Sequence, residues 1–332
     1  MAGSKLPDGE LAFMYFPDNY RWSHGMLGAL STAPWGGAEI DEVHRIGLRL
    51  KDHLGDDQIW FREWTGEAER LEAIGNEKAA AGHAHSASAY LLRAALYAQI
   101  GERFLHPKTE ASQAAYKRSV EVFRKAAGLM ARPRLEHVEV PYEGVTLPGI
   151  LVHGDAVPGR KGKAPVMLFL DGFDITKEMQ YFKGIPSLTA RGISVLMLDG
   201  PGNGEAIRFR GMHLRYDFDI AGTAALDYLQ TRDDVDMKRV AILAMSLGGY
   251  YAPRCAAMDD RFSACIAWGP IWDYHATWVK RIRALKEAAL PVPAEHLLWT
   301  CGVKTYEEAL QKLEGFKSGD IAGRVTVPFL LM

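Results

Sequence analysis

Ser246 stands in the run Val240-Ala241-Ile242-Leu243-Ala244-Met245-Ser246-Leu247-Gly248-Gly249-Tyr250-Tyr251-Ala252. An apolar stretch stops at the serine, two glycines follow, and a helix-compatible run extends from Tyr250 to Met258. The pattern predicts a strand, a tight turn and a helix, with the serine on the turn. A serine held there is strained, its hydroxyl points outward, and it can act as a nucleophile. Ala244, Gly248 and Gly249 supply the small neighbours that so sharp a turn needs. The N–H of Leu247, at the helix start, would face the reacting centre and help to hold a developing oxyanion. The other reading is a serine that only caps a helix.

An oxyanion needs a second donor. The apolar run Pro165 to Leu170 leads into Asp171-Gly172-Phe173-Asp174-Ile175-Thr176-Lys177-Glu178. Gly172 lets the backbone turn, and the N–H of Phe173 is the candidate donor; the alternative is an ordinary strand-to-helix loop. A further loop, Asp199-Gly200-Pro201-Gly202-Asn203-Gly204-Glu205, resembles a phosphate-cradling loop only in its glycines. It has no Lys-Ser/Thr and no G-x-G-x-x-G spacing, which excludes nucleotide binding of those kinds. Its expected role is to shape the pocket wall, with Glu205 structural.

A serine nucleophile also needs a base and an acid, following it in the order Ser, Asp or Glu, His. The histidines after Ser246 are His275 and His296, and neither follows the strand that should precede the base. The last apolar run is Val327 to Met332. The expectation is that Ser246 has no histidine nitrogen within about 3.5 Å. The acid and histidine would then lie beyond Met332 in a longer protein, or the chain is a pseudoenzyme. Asp273 is either a second carboxylate near the site or, the preferred reading, a helix cap.

The elements that must position these residues fall into two parts. Residues 1 to about 36 read as irregular, although Phe13, Tyr15, Phe16, Tyr20, Trp22 and Trp35 make them too aromatic for a disordered tail. The cluster Tyr20 to Gly25 either lines a pocket or staples the segment to its neighbours. From Ala38 to Met130 the apolar period is helical, over Asp41–Leu54, Gln58–Gly75, Gly82–Leu105 and Lys108–Met130. No clean repeat emerges, so this is a helical domain, either a protein-binding array or a cap over an active site. Trp22, His24, Trp60 and Trp64 are candidates for the lining of a pocket beneath such a cap.

The period changes at Arg132-Pro133-Arg134. Glu136–Pro141 and Val145–His153 form an antiparallel hairpin. Buried strands at Pro165–Leu170, Ile193–Leu198, Val240–Leu243 and Phe262–Trp268 follow, with helices at Glu178–Arg191 and Phe218–Thr231 between them. Strands alternating with helices mean a mostly parallel sheet with right-handed crossovers. The boundaries are 1–132 for the helical domain and 133–332 for the sheet domain.

The chain has 332 residues, 48% hydrophobic and 24% charged, with a net charge of −2. That fits a globular protein and argues against a polyanion binder such as a nucleic-acid protein. Cys255, Cys265 and Cys301 show neither disulfide nor metal spacing, so a reducing, cytoplasmic setting is expected, with no cofactor and no metal. The first residues lack the apolar core of a signal peptide, and no run approaches the ~20 apolar residues of a membrane span. The expected partner is a small-molecule substrate.

The hairpin, the parallel strands and the serine turn on the third of them follow the order of α/β-hydrolases, whose G-x-S-x-G elbow is here Ala244-Met245-Ser246-Leu247-Gly248. Together, Thr176-Lys177-Glu178, Asp199 to Glu205 and Ser246-Leu247-Gly248-Gly249 resemble one subfamily. It holds 2,6-dihydroxypseudooxynicotine hydrolase, the FrsA-like proteins and fungal polyketide-shortening hydrolases, and the likeness runs from about residue 57 to 332. The resemblance implies an α/β-hydrolase core with an all-helical N-terminal cap, a homodimer, and a serine hydrolase of carbon–carbon bonds in β-diketone or polyketide-like substrates. Ser246 would take the nucleophile's place, with Phe173 and Leu247 at the oxyanion hole. The subfamily also contains esterases. Asp171 and Ile175 depart from its pattern beside the oxyanion loop, and so bear on substrate class; Ala244 departs at the elbow.

Overall fold

The computed structural model describes residues 13–158, 162–286 and 294–332. The irregular reading of residues 1–12, and the middle of the loop 154–163, lie outside them. The chain forms two compact units, Met1–Met130 with Val279–His296, and Ala131–Trp278 with Leu297–Met332.

The first unit is helical: α1 (Tyr20–Leu30), α2 (Ile40–Leu50), α3 (Asp57–Ala80), α4 (Ala84–Arg103) and α5 (Glu110–Leu129). Asn19, Asp56 and Thr109 cap α1, α3 and α5 with their side-chain oxygens. Helix α1 corrects the irregular reading of this stretch. Trp22, Met26 and Ala29 follow one another at helical spacing and are wholly buried. A side chain at Gly25 would press on the rings of Phe104 and Trp60 at 2.9 Å, so that glycine serves close packing. Between α2 and α4, Arg93 binds the buried Glu42 carboxylate at 2.9 and 3.1 Å, and the Tyr97 hydroxyl donates to it at 2.9 Å.

The second unit carries a sheet of seven strands among the described residues, in the order β1-β2-β4-β3-β5-β6-β7. The strands are β1 (Leu135–Tyr142), β2 (Val145–Val152), β3 (Ala164–Leu170), β4 (Ser194–Leu198), β5 (Val235–Met245), β6 (Ala264–Trp268) and β7 (Phe329–Leu331). β1 pairs antiparallel with β2 and β2 with β4; β4, β3, β5, β6 and β7 run parallel. Val166, Leu168, Leu196, Val240 and Ile242 of the central strands are essentially without exposure, as runs apolar on both faces require.

The crossovers hold α6 (Lys177–Tyr181), α7 (Ile185–Ala190), α8 (Gly204–Arg210), α9 (Asp219–Gln230) and α10 (Gly248–Met258); α11 (Tyr274–Lys286), α12 (Ala294–Cys301) and α13 (Tyr306–Leu313) follow β6. The single helix expected over Glu178–Arg191 is two, because Gly184 turns left-handed (φ 87) and Pro186 opens the second. Helix α8 lies where only a loop was expected. No helix of the described residues is long and apolar enough to cross a membrane.

Candidate active site

β5 ends at Met245, and Ser246 adopts φ 57, the left-handed region that a side chain rarely enters. The next residues start α10 at once: Gly249 N–H donates to Ser246 O at 2.8 Å and Tyr250 N–H to Leu247 O at 2.9 Å. Ser246 N–H is fixed to Trp268 O of β6 at 2.8 Å. Ser246 is exposed, while Ala244, Leu247 and Gly248 are buried. This strand, strained serine and helix in immediate succession match the expected elbow. The left-handed turn is what lifts the hydroxyl clear of the sheet edge.

The loop after β3 lies directly on this turn. A methyl group on Gly172 would come within 2.9 Å of Ser246 Cβ and 3.0 Å of Leu247 N, and one on Gly248 within 2.9 Å of Asp171 O. Gly172, Leu247 and Ser246 are thus brought together at the carboxyl edge of the sheet, where parallel α/β sheets place their ligands. Among the described residues the Leu247 N–H enters no hydrogen bond. The Phe173 ring is half-buried against Trp278, with centroids 5.5 Å apart.

Behind the loop is a buried polar assembly. Asp171 accepts from Gly172 N–H at 2.6 Å and from Lys183 Nζ at 2.5 Å. Asp174, itself left-handed at φ 46, holds Arg208 bidentately at 2.7 and 2.8 Å. The Lys177 ammonium is enclosed by Glu205 at 2.6 Å, Glu178 at 2.7 Å and Asp199 at 2.9 Å. Burial works to strip the Lys177 proton, but the three carboxylates outweigh it and hold the ammonium well above its ordinary range. Burial lifts the Asp199 carboxyl to about 6; Lys177 pulls it down and Glu178 pushes it up. Glu205 is held in this ion-pair cluster. Gly204, at φ 48, is forced to be glycine because a Cβ there would collide with the Asp199 carboxylate.

Among the described residues the Ser246 hydroxyl enters no hydrogen bond. His296 belongs to the helical unit, where its Nδ1 is 2.9 Å from His106 Nε2. His275 sits in the first turn of α11. Asp273 caps that helix, accepting from Ala276 N–H at 2.7 Å. The three cysteines are buried, and burial raises Cys265 to about 12 and Cys301 to about 11, far from thiolate chemistry.

Trp22, Trp60 and Trp64 pack as tilted rings in the helical unit, with centroids 5.0 and 5.4 Å apart and no exposed surface. The Trp22 indole donates to Asp57 and that of Trp60 to Ile100 O, each at 3.0 Å. The three are core residues of their unit. His24 is exposed on α1 and stacks on Tyr20 at 6.2 Å. Sequence reasoning overlooked Asn203 and the Asp174–Arg208 pair. The available signal was a dense set of polar residues, Asp174, Thr176, Lys177 and Asn203, at the ends of strands otherwise apolar throughout.

Comparison with known proteins agrees with this geometry. The esterase FrsA-like family model matches residues 46–330. Hydrolase acrC of Aspergillus aculeatus is 35% identical over 277 residues, covering 79% of this chain and 64% of that protein. The 20-hydroxy-prefusarin hydrolase FUS2 of Gibberella moniliformis is 38% identical over 249 residues, covering 73% and 58%. The chain spans about three-fifths of the length of these curated relatives. The crystal structure of 2,6-dihydroxy-pseudo-oxynicotine hydrolase superposes with a TM-score of 0.76 at 26% identity, over 91% of this chain and 80% of that one. AbyA5, at 19% identity and a TM-score of 0.65, shares the fold. With the sheet order, the elbow and the family match in agreement, the chain belongs to the FrsA-like esterase family of α/β-hydrolases.

Proposed function

We propose that this protein is a serine hydrolase that cleaves a carbon–carbon bond beside a carbonyl in a β-diketone or polyketide-like substrate. The observation that carries the reading is the left-handed, exposed Ser246 with the Gly172 loop pressed against it. In this reading Ser246 Oγ attacks the carbonyl carbon while its proton passes to a histidine base. The Leu247 and Phe173 N–H groups hold the oxyanion. Collapse breaks the carbon–carbon bond; the departing carbon leaves with the electron pair as an enolate, whose charge the neighbouring carbonyl delocalises, and takes the proton held by the base. Water then hydrolyses the acyl-serine. The net change is one β-diketone and one water giving one carboxylic acid and one ketone.

The carbon–carbon choice is supported by the likeness to 2,6-dihydroxy-pseudo-oxynicotine hydrolase and by relatives such as the 20-hydroxy-prefusarin hydrolase. A second reading, a carboxylesterase with the same machinery, is favoured by the family's own description as FrsA-like esterases. Fluorophosphonate labelling of the full-length protein, with the adduct located by mass spectrometry, tests what the two share. An adduct on Ser246 supports both; its absence favours a non-catalytic interaction protein built on the helical array. Turnover of β-diketones against simple esters then separates the two. A homodimer is part of the proposal, and sedimentation analysis showing a monomer alone would remove it.

A further inference from the structure

Asn203 holds the N-cap position of α8, with extended backbone (φ −125, ψ 148). Asparagine there ordinarily accepts from the first-turn N–H groups. Its side chain makes no such bond. The capping comes from elsewhere in the chain: Gly204 N–H donates to Asp174 Oδ1 at 3.2 Å and Glu205 N–H to Asp199 Oδ2 at 3.0 Å. The Asn203 amide, buried at 4% exposure, is left to reach across to the loop after β3. Its nitrogen donates to Gly172 O at 2.9 Å and to Ile175 O at 3.1 Å. Both neighbours are carbonyl oxygens, so chemistry fixes which end of the amide faces them.

The Gly172 carbonyl is one half of the peptide unit whose other half is the Phe173 N–H. In a trans peptide the C=O and N–H lie in one plane and point in opposite directions. Anchoring the oxygen therefore aims the N–H, and a donor on the oxygen polarises the unit so that its N–H donates more strongly. We infer that Asn203 is a positioning residue for the oxyanion hole, acting through the Gly172–Phe173 peptide. The inference rests on the proposed roles of Ser246 and Phe173. Asn203 does not touch the substrate; it fixes a dipole before charge develops, which is the condition for oxyanion stabilisation without reorganisation.

Asn203→Asp keeps the size of the side chain and removes both donors, setting a carboxylate against two carbonyls. In the full-length protein, kcat for a p-nitrophenyl ester should fall about 10- to 100-fold with KM within about threefold. That is less than the ~10²–10³ of losing an oxyanion donor outright. Phenylboronic acid, which becomes a tetrahedral anion on the serine, should weaken by a similar factor, while the product carboxylate should not. Asn203→Ser, smaller and neutral, should show the same split, and thermal melting reports whether each variant is folded. Unchanged kcat in a folded variant, a loss confined to KM with boronate affinity retained, or loss of the fold in both variants would each overturn the inference. Ser246→Ala measured alongside separates the two levels. If it keeps wild-type turnover the serine reading itself fails, whereas an inactive Ser246→Ala beside unimpaired Asn203 variants removes Asn203 alone.

Discussion

Gly172 and Ser246 lie in van der Waals contact, close enough that a single added methyl on the glycine would stand 2.9 Å from the serine Cβ. The other atoms in its way are Leu247 N and Met245 O, each at 3.0 Å. These are backbone atoms, which cannot rotate aside as a flexible side chain would. Gly172→Ala should therefore push the loop off the elbow and separate the two proposed oxyanion donors, the N–H groups of Phe173 and Leu247. The expected result is about 1–3 kcal/mol of lost stability and a fall in kcat of about 10² or more. Steady-state kinetics and thermal melts check both; a folded variant with wild-type kcat would show that the loop is not part of the site.

Ser246 separates chemistry from strain. Ser246→Ala should lose about 10⁴-fold or more in kcat with little change in stability, since alanine at φ 57 is strained as well. Ser246→Gly, equally inactive, should be more stable than either by about 1 kcal/mol, because glycine enters the left-handed region freely. Chemical denaturation of the three proteins makes the comparison. A glycine variant no more stable than the alanine variant would mean that the turn stores no strain.

The Asp174–Arg208 pair is almost without exposure, at 0% and 2% for the two side chains. Breaking it from one side takes from a buried charge the ion pair that offsets its burial. Asp174→Asn, and separately Arg208→Met, should each cost about 3–5 kcal/mol. The double variant should cost clearly less than their sum. Additive losses would show that the two groups contribute independently.

Acid should weaken the second unit through Arg232. Its guanidinium pairs with Glu136 at 2.8 and 3.0 Å and with Asp234 at 2.9 and 3.0 Å. These bonds hold both carboxyls below their ordinary range. A carboxyl with a depressed folded pKa contributes its stability in full above the unfolded value, near pH 4, and loses it as pH falls through the folded value. Both carboxylates are more than a third exposed, so solvent screening keeps the total to about 1 kcal/mol. Arg232→Met should melt below wild type at pH 7, and the gap should narrow by pH 3. A gap constant across that range would rule out the ion pairs as its cause.

The elbow was legible because its requirement is local. A serine between a strand and two glycines needs no distant partner to be recognised, and the strand positions followed from apolar runs of the right length. Helix α1 was read as irregular; what places Gly25 inside a helix is its packing on Phe104, 79 residues away in the sequence. Asn203 was hidden for a related reason: its partners Gly172 and Ile175 are 31 and 28 residues away. Trp22, Trp60 and Trp64 had the side chains of a ligand pocket. Whether an aromatic ring faces a ligand or its neighbour's ring is settled by packing, which period and composition do not encode.

The outside capping of α8 also bears on how the protein reaches its folded state. A seven-residue helix is too short to persist alone, and this one has no start signal of its own, because the carboxylates that satisfy its first N–H groups are Asp174 and Asp199. Asp174 follows β3 and Asp199 follows β4, and the pairing of these two neighbouring strands is what sets both carboxylates at the helix start. The glycine loop, the helix and the loop after β3 are tied together by these bonds and are expected to open as one block. Amide exchange at Gly204 and Glu205 should then occur only with opening of the β3–β4 sheet rather than by local fraying of a surface helix.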